Sequence, residues 1–206
     1  KIDKLNSGVS YVNHISNESI IASIDNNFVP SIDFSEIKNV DVIIICVPTP
    51  LDSNSEPDLS FIIKTLELVK PYVRFNQLLI LESTTYPGTT EEVLVPYIEK
   101  KSTNKSDVIK NLIVGKNFYV GYSPEREDPG NKNFSTKTIP KIVSGHTDDC
   151  LALTKILYDQ IIEKTVPVSS TQTAEMTKIL ENIHRAVNIG LVNELKLVAE
   201  KMNINI

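Results

Sequence analysis

Short apolar stretches alternate along the chain with segments of helical periodicity. DVIIICV is a continuous, β-branched run, the kind that forms a strand buried on both faces of a parallel sheet. Between such runs, apolar residues recur at helical spacing, as in DLSFIIKTLELVKPYV and DDCLALTKILYDQII. The runs that predict strands are DVIIICV, QLLILES, NFYVGYS, KIVSG and TVPVSS. This βαβα alternation predicts an α/β fold, a Rossmann-like doubly wound parallel sheet.

The pattern changes from Ser170 onward. TQTAEMTKILENIHRAVNIGLVNELKLVAEKMNI contains no proline and one glycine, and it predicts a single long helix still running at Ile206. A helix of that length is typical of a connector between domains or of a dimer spine. Its apolar stripe consists of Met176, Leu180, Ile183, Val187, Leu191, Val198 and Met202. We therefore divide the chain into a sheet domain, residues 1–168, and a central helix, residues 169–206.

Composition narrows the classes of partner. Of the 206 residues, 41% are hydrophobic and 23% are charged, which is typical of a soluble domain with a core. The net charge of −5 and the lack of a basic block argue against nucleic acid as a partner. No apolar run is long enough to span a membrane, so we expect no membrane partner and a cytoplasmic location.

The cysteines and histidines do not predict a metal site. Cys46 lies inside DVIIICV and is expected to be a buried core thiol. Cys150 is expected in the first turn of a helix, where the adjacent Asp148 and Asp149 oppose formation of a thiolate. The two cysteines lack the spacing of a disulfide framework or a zinc site, and the three histidines are scattered. We expect no bound metal.

Three of the predicted strands end in polar residues suited to binding a ligand. The ends read Val47-Pro48-Thr49-Pro50, Glu82-Ser83-Thr84-Thr85 and SPERED, residues 123–128. Each alone is also compatible with ordinary turn chemistry, because Ser, Thr, Pro and Asp dominate turns. In an open α/β sheet, ligands bind at the carboxyl ends of the strands. Since all three segments fall on that edge, together they predict a ligand site.

The long helix carries a second polar feature. Glu175, Lys178, Asn182 and Arg185 follow one another at spacings of three or four residues and so share one helix face. This face could simply be solvated. Asn182 argues against that interpretation, because asparagine is a poor helix former. A lysine and an asparagine one turn apart also suit the stabilisation of a developing oxyanion by two donors.

These motifs together resemble the UDP-glucose/GDP-mannose dehydrogenase family. The matching stretches are VPTP after one strand, ESTTYPGTT after the next, SPEREDPGN, and AEMTKILENIHRAVNIGLVNEL on the long helix. Their order is that of the family, and they cover nearly the whole chain. The forms of SPEREDPGN and ENIHRAVNI are closest to the branch that acts on UDP-N-acetylhexosamines.

The resemblance implies an NAD-dependent, four-electron oxidation of a nucleotide sugar, for surface polysaccharide biosynthesis. The C6 alcohol becomes a carboxylate in two hydride transfers, through a thiohemiacetal and a thioester on an enzyme cysteine. The family has a Rossmann domain, a long central dimerising helix and a sugar-nucleotide domain. The implied partners are therefore a UDP-sugar and a second copy of the chain.

The resemblance also assigns residues, position by position. Those implied to contact the cofactor are Val47, Pro48, Thr49, Pro50, Ser83 and Thr84. Thr84 also matches a threonine that holds a catalytic water, and Glu125 matches a glutamate that assists thioester hydrolysis. Lys178 and Asn182 match the pair that stabilises the oxyanion at C6. The residues implied to contact the substrate are Glu125, Arg126, Glu127, Asp128, Lys178, Asn182 and Arg185.

The sequence also departs from the family pattern. No two of its seven glycines form a G-x-G pair, so the dinucleotide fingerprint is missing, and neither Cys46 nor Cys150 matches the catalytic cysteine. A second glutamate found in some relatives is Pro129 here. We expect a fragment that lacks the Gly-rich loop and the cysteine-bearing domain and is inactive alone. Two alternatives remain: another NAD(P)-dependent hydroxyacid dehydrogenase, or a non-catalytic sugar-nucleotide-binding domain.

Overall fold

The computed structural model describes residues 1–100, 111–125 and 137–205. The predicted substrate residues Arg126, Glu127 and Asp128 lie outside these ranges. The helices are α1 Ile2–Asn6, α2 Asn17–Asp25, α3 Ser60–Val69, α4 Val95–Glu99, α5 Asp148–Asp159 and α6 Thr171–Lys201. The strands are β1 Val42–Ile45, β2 Leu78–Leu81, β3 Tyr119–Tyr122, β4 Lys141–Gly145 and β5 Thr165–Pro167. Short 3₁₀ turns span Phe34–Asn39 and Lys70–Tyr72, and a π-helical turn, Thr90–Leu94, leads into α4.

The five strands form one sheet in the order β1-β2-β3-β4-β5. The first three run parallel, so their carboxyl ends meet at one edge. β4 runs antiparallel to β3, with Tyr122 opposite Ser144, and β5 is parallel to β4. The predicted α/β class is confirmed, with one reversed strand pair that the alternating pattern did not reveal.

Helices cover both faces of the sheet. β2 shows this directly, because Leu79 and Leu81 belong to the core cluster beneath α3 and α4, while Leu78 and Ile80 belong to the cluster beneath α5. Successive strand residues point to opposite faces, so a run of four buried residues requires cover on both sides. This arrangement holds the carboxyl edge of β1, β2 and β3 rigid.

The predictions for the DVIIICV run are wrong in two respects. Ile43 and Ile45 are buried, but Ile44 on the opposite face is 43% exposed, and Cys46 is exposed rather than a core thiol. β1 lies at the edge of the described sheet, and α5 packs across β2, β3 and β4. One face of β1 therefore lacks the helical cover that an interior strand would have.

The long helix α6 is confirmed, and it begins at a side-chain cap. The Ser170 hydroxyl accepts a hydrogen bond from the Thr173 N–H at 3.1 Å. The helix ends at Lys201, so the expectation that it continues beyond that residue is wrong for residues 202–205, and Ile206 itself lies outside the described residues. Its residues beyond Glu181 are exposed up to Val198. In the described residues, no helix combines the length and apolar character that a membrane crossing requires.

Candidate active site

The ends of β1 and β2 are bound to each other by side chains. The Ser83 hydroxyl accepts a hydrogen bond from the Val47 N–H at 3.0 Å and donates one to the Val47 carbonyl at 2.7 Å. Further along both segments, the Thr49 hydroxyl donates to the Thr84 carbonyl at 2.5 Å. The structure thus brings the predicted cofactor residues of both strands into one rigid unit.

The end of β3 joins the same edge. The Glu125 N–H donates to the Glu82 carbonyl at 3.3 Å, which places the two loops side by side. One residue earlier, the Pro124 carbonyl accepts a hydrogen bond from the Lys141 ammonium at 3.3 Å. The prediction that three strand ends form one polar edge is therefore met by direct contacts.

Lys178 brings α6 to this edge. Its ammonium donates to the Glu125 carbonyl at 2.7 Å and lies 3.8 Å from the Glu125 carboxylate oxygen Oε2. The Lys178 side chain is 12% exposed, whereas that of Glu125 is 54% exposed. The ammonium is therefore largely covered by the protein, whereas about half of the Glu125 side chain is accessible from outside.

Two predicted substrate residues are not gathered with these groups. Asn182 and Arg185 lie on α6 one and two turns beyond Lys178, and both are exposed. They continue the same helix face away from the edge of the sheet. Within the described residues, no group of histidine, cysteine, aspartate or glutamate is arranged to hold a metal ion.

A cluster at the centre of the edge was missed by the sequence analysis. The Glu82 carboxylate accepts hydrogen bonds from the Lys141 ammonium at 2.9 Å, from the Tyr158 hydroxyl, and from the Cys46 thiol at 3.4 Å. The Lys141 ammonium also lies 4.8 Å from the centre of the Tyr158 ring. Glu82 in ESTTYPGTT was a visible signal, but Lys141 and Tyr158 reach it from β4 and α5, which no local pattern reveals.

Within this cluster, the pKa of the Glu82 carboxylate is lowered, whereas those of the Cys46 thiol and the Tyr158 phenol are raised. Burial by itself raises the pKa of Glu82, but the Lys141 ammonium and the hydrogen bonds from Tyr158, Lys141 and Cys46 bring the pKa below its ordinary value. Although Cys46 as a residue is exposed, partial loss of hydration around its thiol and the nearby Glu82 carboxylate raise the pKa of that thiol to about 12. Burial and the bond to Glu82 also raise the pKa of the Tyr158 phenol. Glu82 is thus ionised at neutral pH, and Cys46 is a neutral thiol.

Glu175 lies on the polar face of α6 that the sequence left open to interpretation as a solvated face, but its side chain is fully buried. Its carboxylate accepts hydrogen bonds from the Gly88 N–H at 2.6 Å, the Thr90 N–H at 2.9 Å and the Thr90 hydroxyl at 2.7 Å. Burial raises the pKa of Glu175, although these hydrogen bonds act in the opposite direction. The solvated-face interpretation therefore fails at this position.

The surface at the ends of β1 and β2 carries the residues predicted to contact the cofactor. Pro48 and Pro50 are exposed, while Val47 and Thr49 are partly buried, and the hydroxyls of Thr49 and Ser83 are engaged within the protein. This leaves a rigid and mainly apolar surface where open parallel sheets bind such ligands. The sequence contains no G-x-G pair for the pyrophosphate.

Comparison with protein families identifies both parts of this architecture. Residues 1–162 match the NAD binding domain of the UDP-glucose/GDP-mannose dehydrogenase family, and residues 172–206 match the central domain of that family. The chain belongs to the UDP-glucose/GDP-mannose dehydrogenase family. NAD is accordingly the cofactor indicated for the sheet domain, as the motifs implied.

Curated relatives agree with this membership. Protein CapL of Staphylococcus aureus is 42% identical over 171 residues, which is 82% of this chain and 38% of the relative. A UDP-N-acetyl-D-glucosamine 6-dehydrogenase of Pseudomonas aeruginosa is 37% identical over 174 residues, 84% of this chain and 39% of the relative. The chain thus spans about two fifths of the length of these relatives.

A solved structure gives the same result at the level of the fold. The UDP-D-ManNAc dehydrogenase of Pyrococcus horikoshii superposes with a TM-score of 0.85 and 30% identity, covering 99% of this chain and 47% of that protein. The arrangement of the sheet and the long helix is therefore that of a family member.

Proposed function

We propose that the protein containing this chain oxidises the C6 alcohol of a UDP-N-acetylhexosamine to a carboxylate, with NAD as the electron acceptor. The observation that carries the proposal is the contact of the Lys178 ammonium with Glu125, on the same edge as Ser83 and Thr84. A cation and a carboxylate therefore lie beside the strand ends to which we assign the dinucleotide. The names of the relatives support the choice of sugar class.

The cofactor side is proposed to comprise the ends of β1 and β2. Val47, Pro48 and Pro50 offer the apolar surface against which the dinucleotide lies, and Ser83 and Thr84 hold that surface in place. NAD, when bound, supplies the hydride acceptor for both oxidation stages. The task of these residues is to orient it toward the end of β3.

The substrate side is proposed to comprise Glu125 and α6. As hydride leaves C6, the sugar hydroxyl releases its proton to water and negative charge develops on the oxygen. The Lys178 ammonium, mounted on a rigid helix, stabilises that charge, and Asn182 adds a second donor one turn away. Further along the sugar nucleotide, we assign binding contacts to the residues that follow Glu125, namely Arg126, Glu127 and Asp128, and to Arg185 on α6.

Thr84 and Glu125 are proposed to act in the second stage. There the acyl group on an enzyme cysteine is hydrolysed, and Thr84 positions the water while the Glu125 carboxylate accepts its proton. Neither cysteine of this chain suits the role of that nucleophile. Cys46 is a neutral thiol that donates a hydrogen bond to the Glu82 carboxylate, and Cys150 is fully buried. We therefore propose that residues 1–206 alone do not complete the oxidation.

The remaining proposals concern the oligomeric state and the cellular location of the enzyme. The exposed apolar stripe of α6 suits pairing with a second copy of the chain, so the connector, residues 169–206, acts as a dimer spine beside the NAD domain, residues 1–168. We place the enzyme in the cytoplasm, where it supplies an acidic sugar nucleotide for surface polysaccharide.

The test uses the complete reading frame that contains this chain. Purified protein is mixed with NAD and one candidate substrate, and NADH formation is followed by absorbance. UDP-N-acetylglucosamine and UDP-N-acetylmannosamine are compared with UDP-glucose, GDP-mannose and a panel of small hydroxyacids. We expect turnover with at least one UDP-N-acetylhexosamine. Turnover with hydroxyacids alone would show that the protein is another NAD(P)-dependent hydroxyacid dehydrogenase. Binding of UDP-sugars without turnover would show that it is a non-catalytic sugar-nucleotide-binding domain.

A further inference from the structure

The buried carboxylate of Glu175 connects α6 to the loop that follows β2. Its three donors come from Gly88 and Thr90, in the segment that follows Ser83 and Thr84 and begins the π-helical turn. Gly88 has a φ of +107°, a conformation that side-chain-bearing residues rarely adopt. The loop is therefore shaped to direct backbone donors at one carboxylate on another element.

For the stability of the fold, this arrangement has a cost as well as a benefit. A buried carboxylate is costly unless a cation or several donors compensate for its lost hydration. Within the described residues no cation pairs with Glu175, and the neighbouring Glu91 carboxylate opposes its charge. An apolar residue at this position would avoid that cost, but it would leave the N–H groups of Gly88 and Thr90 without this acceptor. What the carboxylate also provides is direction, because its two oxygens fix the donors of both Gly88 and Thr90.

The position of Glu175 on α6 links this contact to the active site. Lys178 follows it by three residues, on the same helix face, and donates to Glu125 at 2.7 Å. On the other side of the contact, Ser83 and Thr84 are bound to the end of β1. A shift of α6 along or about its axis would move the Lys178 ammonium relative to Thr84.

We propose that Glu175 is a positioning residue that sets the place of the Lys178 ammonium relative to the cofactor loop. The three hydrogen bonds fix the height and rotation of the first turns of α6 against Gly88 and Thr90. At the helix start, Glu91 adds weaker contacts to Thr171 at 3.3 Å and Gln172 at 3.2 Å. This positioning role rests on the proposed function in one respect, because it is that function which gives the Lys178 ammonium its catalytic task.

The test measures the position of Lys178 without relying on turnover. The 206-residue chain is treated with an amine-reactive ester, and labelling rates at Lys178 and at the exposed Lys196 are compared by peptide mass spectrometry. In the unaltered chain, Lys178 is expected to react more slowly than Lys196. Glu175→Gln replaces one acceptor oxygen with a donor amide, which must face an N–H of the loop. Labelling of Lys178 is then expected to rise by about three- to tenfold, while Lys196 is unchanged.

Two further variants make the result decisive. Glu194→Gln is the matched control, since it is the same substitution at an exposed position of the same helix, and it should leave Lys178 labelling unchanged. Thr90→Ala removes only the hydroxyl donor, so it gives a folded variant with a smaller rise if Glu175→Gln does not fold. Unchanged Lys178 labelling in the folded variants would overturn the proposal. Equal labelling of Lys178 and Lys196 in the unaltered chain would overturn it as well, whatever the substrate panel shows.

Discussion

Lys178 is the residue on which the proposed chemistry depends most. Its ammonium is held by the Glu125 carbonyl beside the edge where the cofactor residues meet. In the complete protein, Lys178→Ala should lower turnover by roughly 10²–10³-fold, the usual cost of removing one oxyanion donor. NAD affinity, measured by calorimetry, should be unchanged because we assign the dinucleotide to the ends of β1 and β2, not to Lys178.

The matched control for that variant is Lys196→Ala, which removes an exposed lysine from the same helix. It should leave both turnover and NAD affinity unchanged. Near-normal turnover of the Lys178→Ala enzyme would contradict the oxyanion role.

Cys46 reports on the buried cluster at the centre of the edge. Cys46 is exposed to a reagent, but partial loss of hydration and the Glu82 carboxylate raise the pKa of its thiol to about 12, so at mildly alkaline pH it should react slowly with a disulfide reagent. Glu82→Gln removes the charge and should lower the pKa of Cys46, making the reaction several-fold faster. The reagent's absorbance gives the rate across a pH series.

Glu56→Gln, at an exposed loop position, is the control and should leave that rate unchanged. Cys46→Ser should abolish the reaction, because Cys150 is buried. A Cys46 rate that is the same in the unaltered chain and in the Glu82→Gln variant would show that burial alone sets the pKa of the thiol.

The sequence predicted single residues within local motifs well, but it did not predict contacts between residues that are far apart along the chain. Glu125 and Lys178 were singled out from their neighbours along the chain, and the structure brings them together. Lys141 and Tyr158 were not, because their contacts with Glu82 depend on how β4 and α5 return to the edge. Glu175 looked like part of a solvated face, since helical spacing does not say what covers a face.

Among the elements, α6 carries the most exposed apolar surface. Leu180, Ile183, Val187 and Leu191 are 58%, 52%, 61% and 55% exposed along one side of the helix. Exposed apolar stripes of this kind mark protein–protein interfaces. If α6 forms the dimer spine proposed above, the double substitution Val187→Glu and Leu191→Glu should convert the dimer into a monomer, as measured by light scattering.

Asn193→Glu is the matched control, because it adds negative charge to the polar side of the same helix. That variant should remain dimeric. A double variant that stays dimeric, or an unaltered protein that is monomeric at all concentrations, would refute the dimer spine.

The elements also show why the sheet could be predicted only in outline. Apolar runs identify strands but not their direction, so the reversal of β4 relative to β3 was not visible. The exposure of Ile44 was missed for a related reason, since a continuous apolar run does not say whether a strand lies inside a sheet or at its edge.

The stability of the whole molecule should depend on pH through its buried carboxylates. The folded pKa of Glu82 lies below its ordinary value of 4.5, so its stabilising contribution is present above that pH and is lost as the pH falls through the folded pKa. Glu82→Gln leaves Lys141 as a buried unpaired cation and should cost about 3 kcal/mol at neutral pH. Urea unfolding at several pH values should show the difference from the unaltered chain shrinking below pH 4.5.

Glu175 contributes in the opposite direction. Its folded pKa is raised above 4.5, so its ionisation opposes folding, and stability from this group is lost as the pH rises from 4.5 through the folded pKa.

The control for the Glu82→Gln variant is Glu194→Gln, which should unfold like the unaltered chain at every pH of the urea series. A Glu82→Gln deficit that remained constant into acid would show that the lost free energy is not tied to the charge of Glu82.

We propose that the complete protein takes four electrons from one alcohol. The most direct test is the yield of NADH per UDP-N-acetylhexosamine consumed by the complete protein, with the sugar nucleotide limiting and NAD in excess. Two hydride transfers predict two NADH for each sugar and a carboxylate product with no aldehyde released. One NADH for each sugar, or an aldehyde as the end product, would contradict the account.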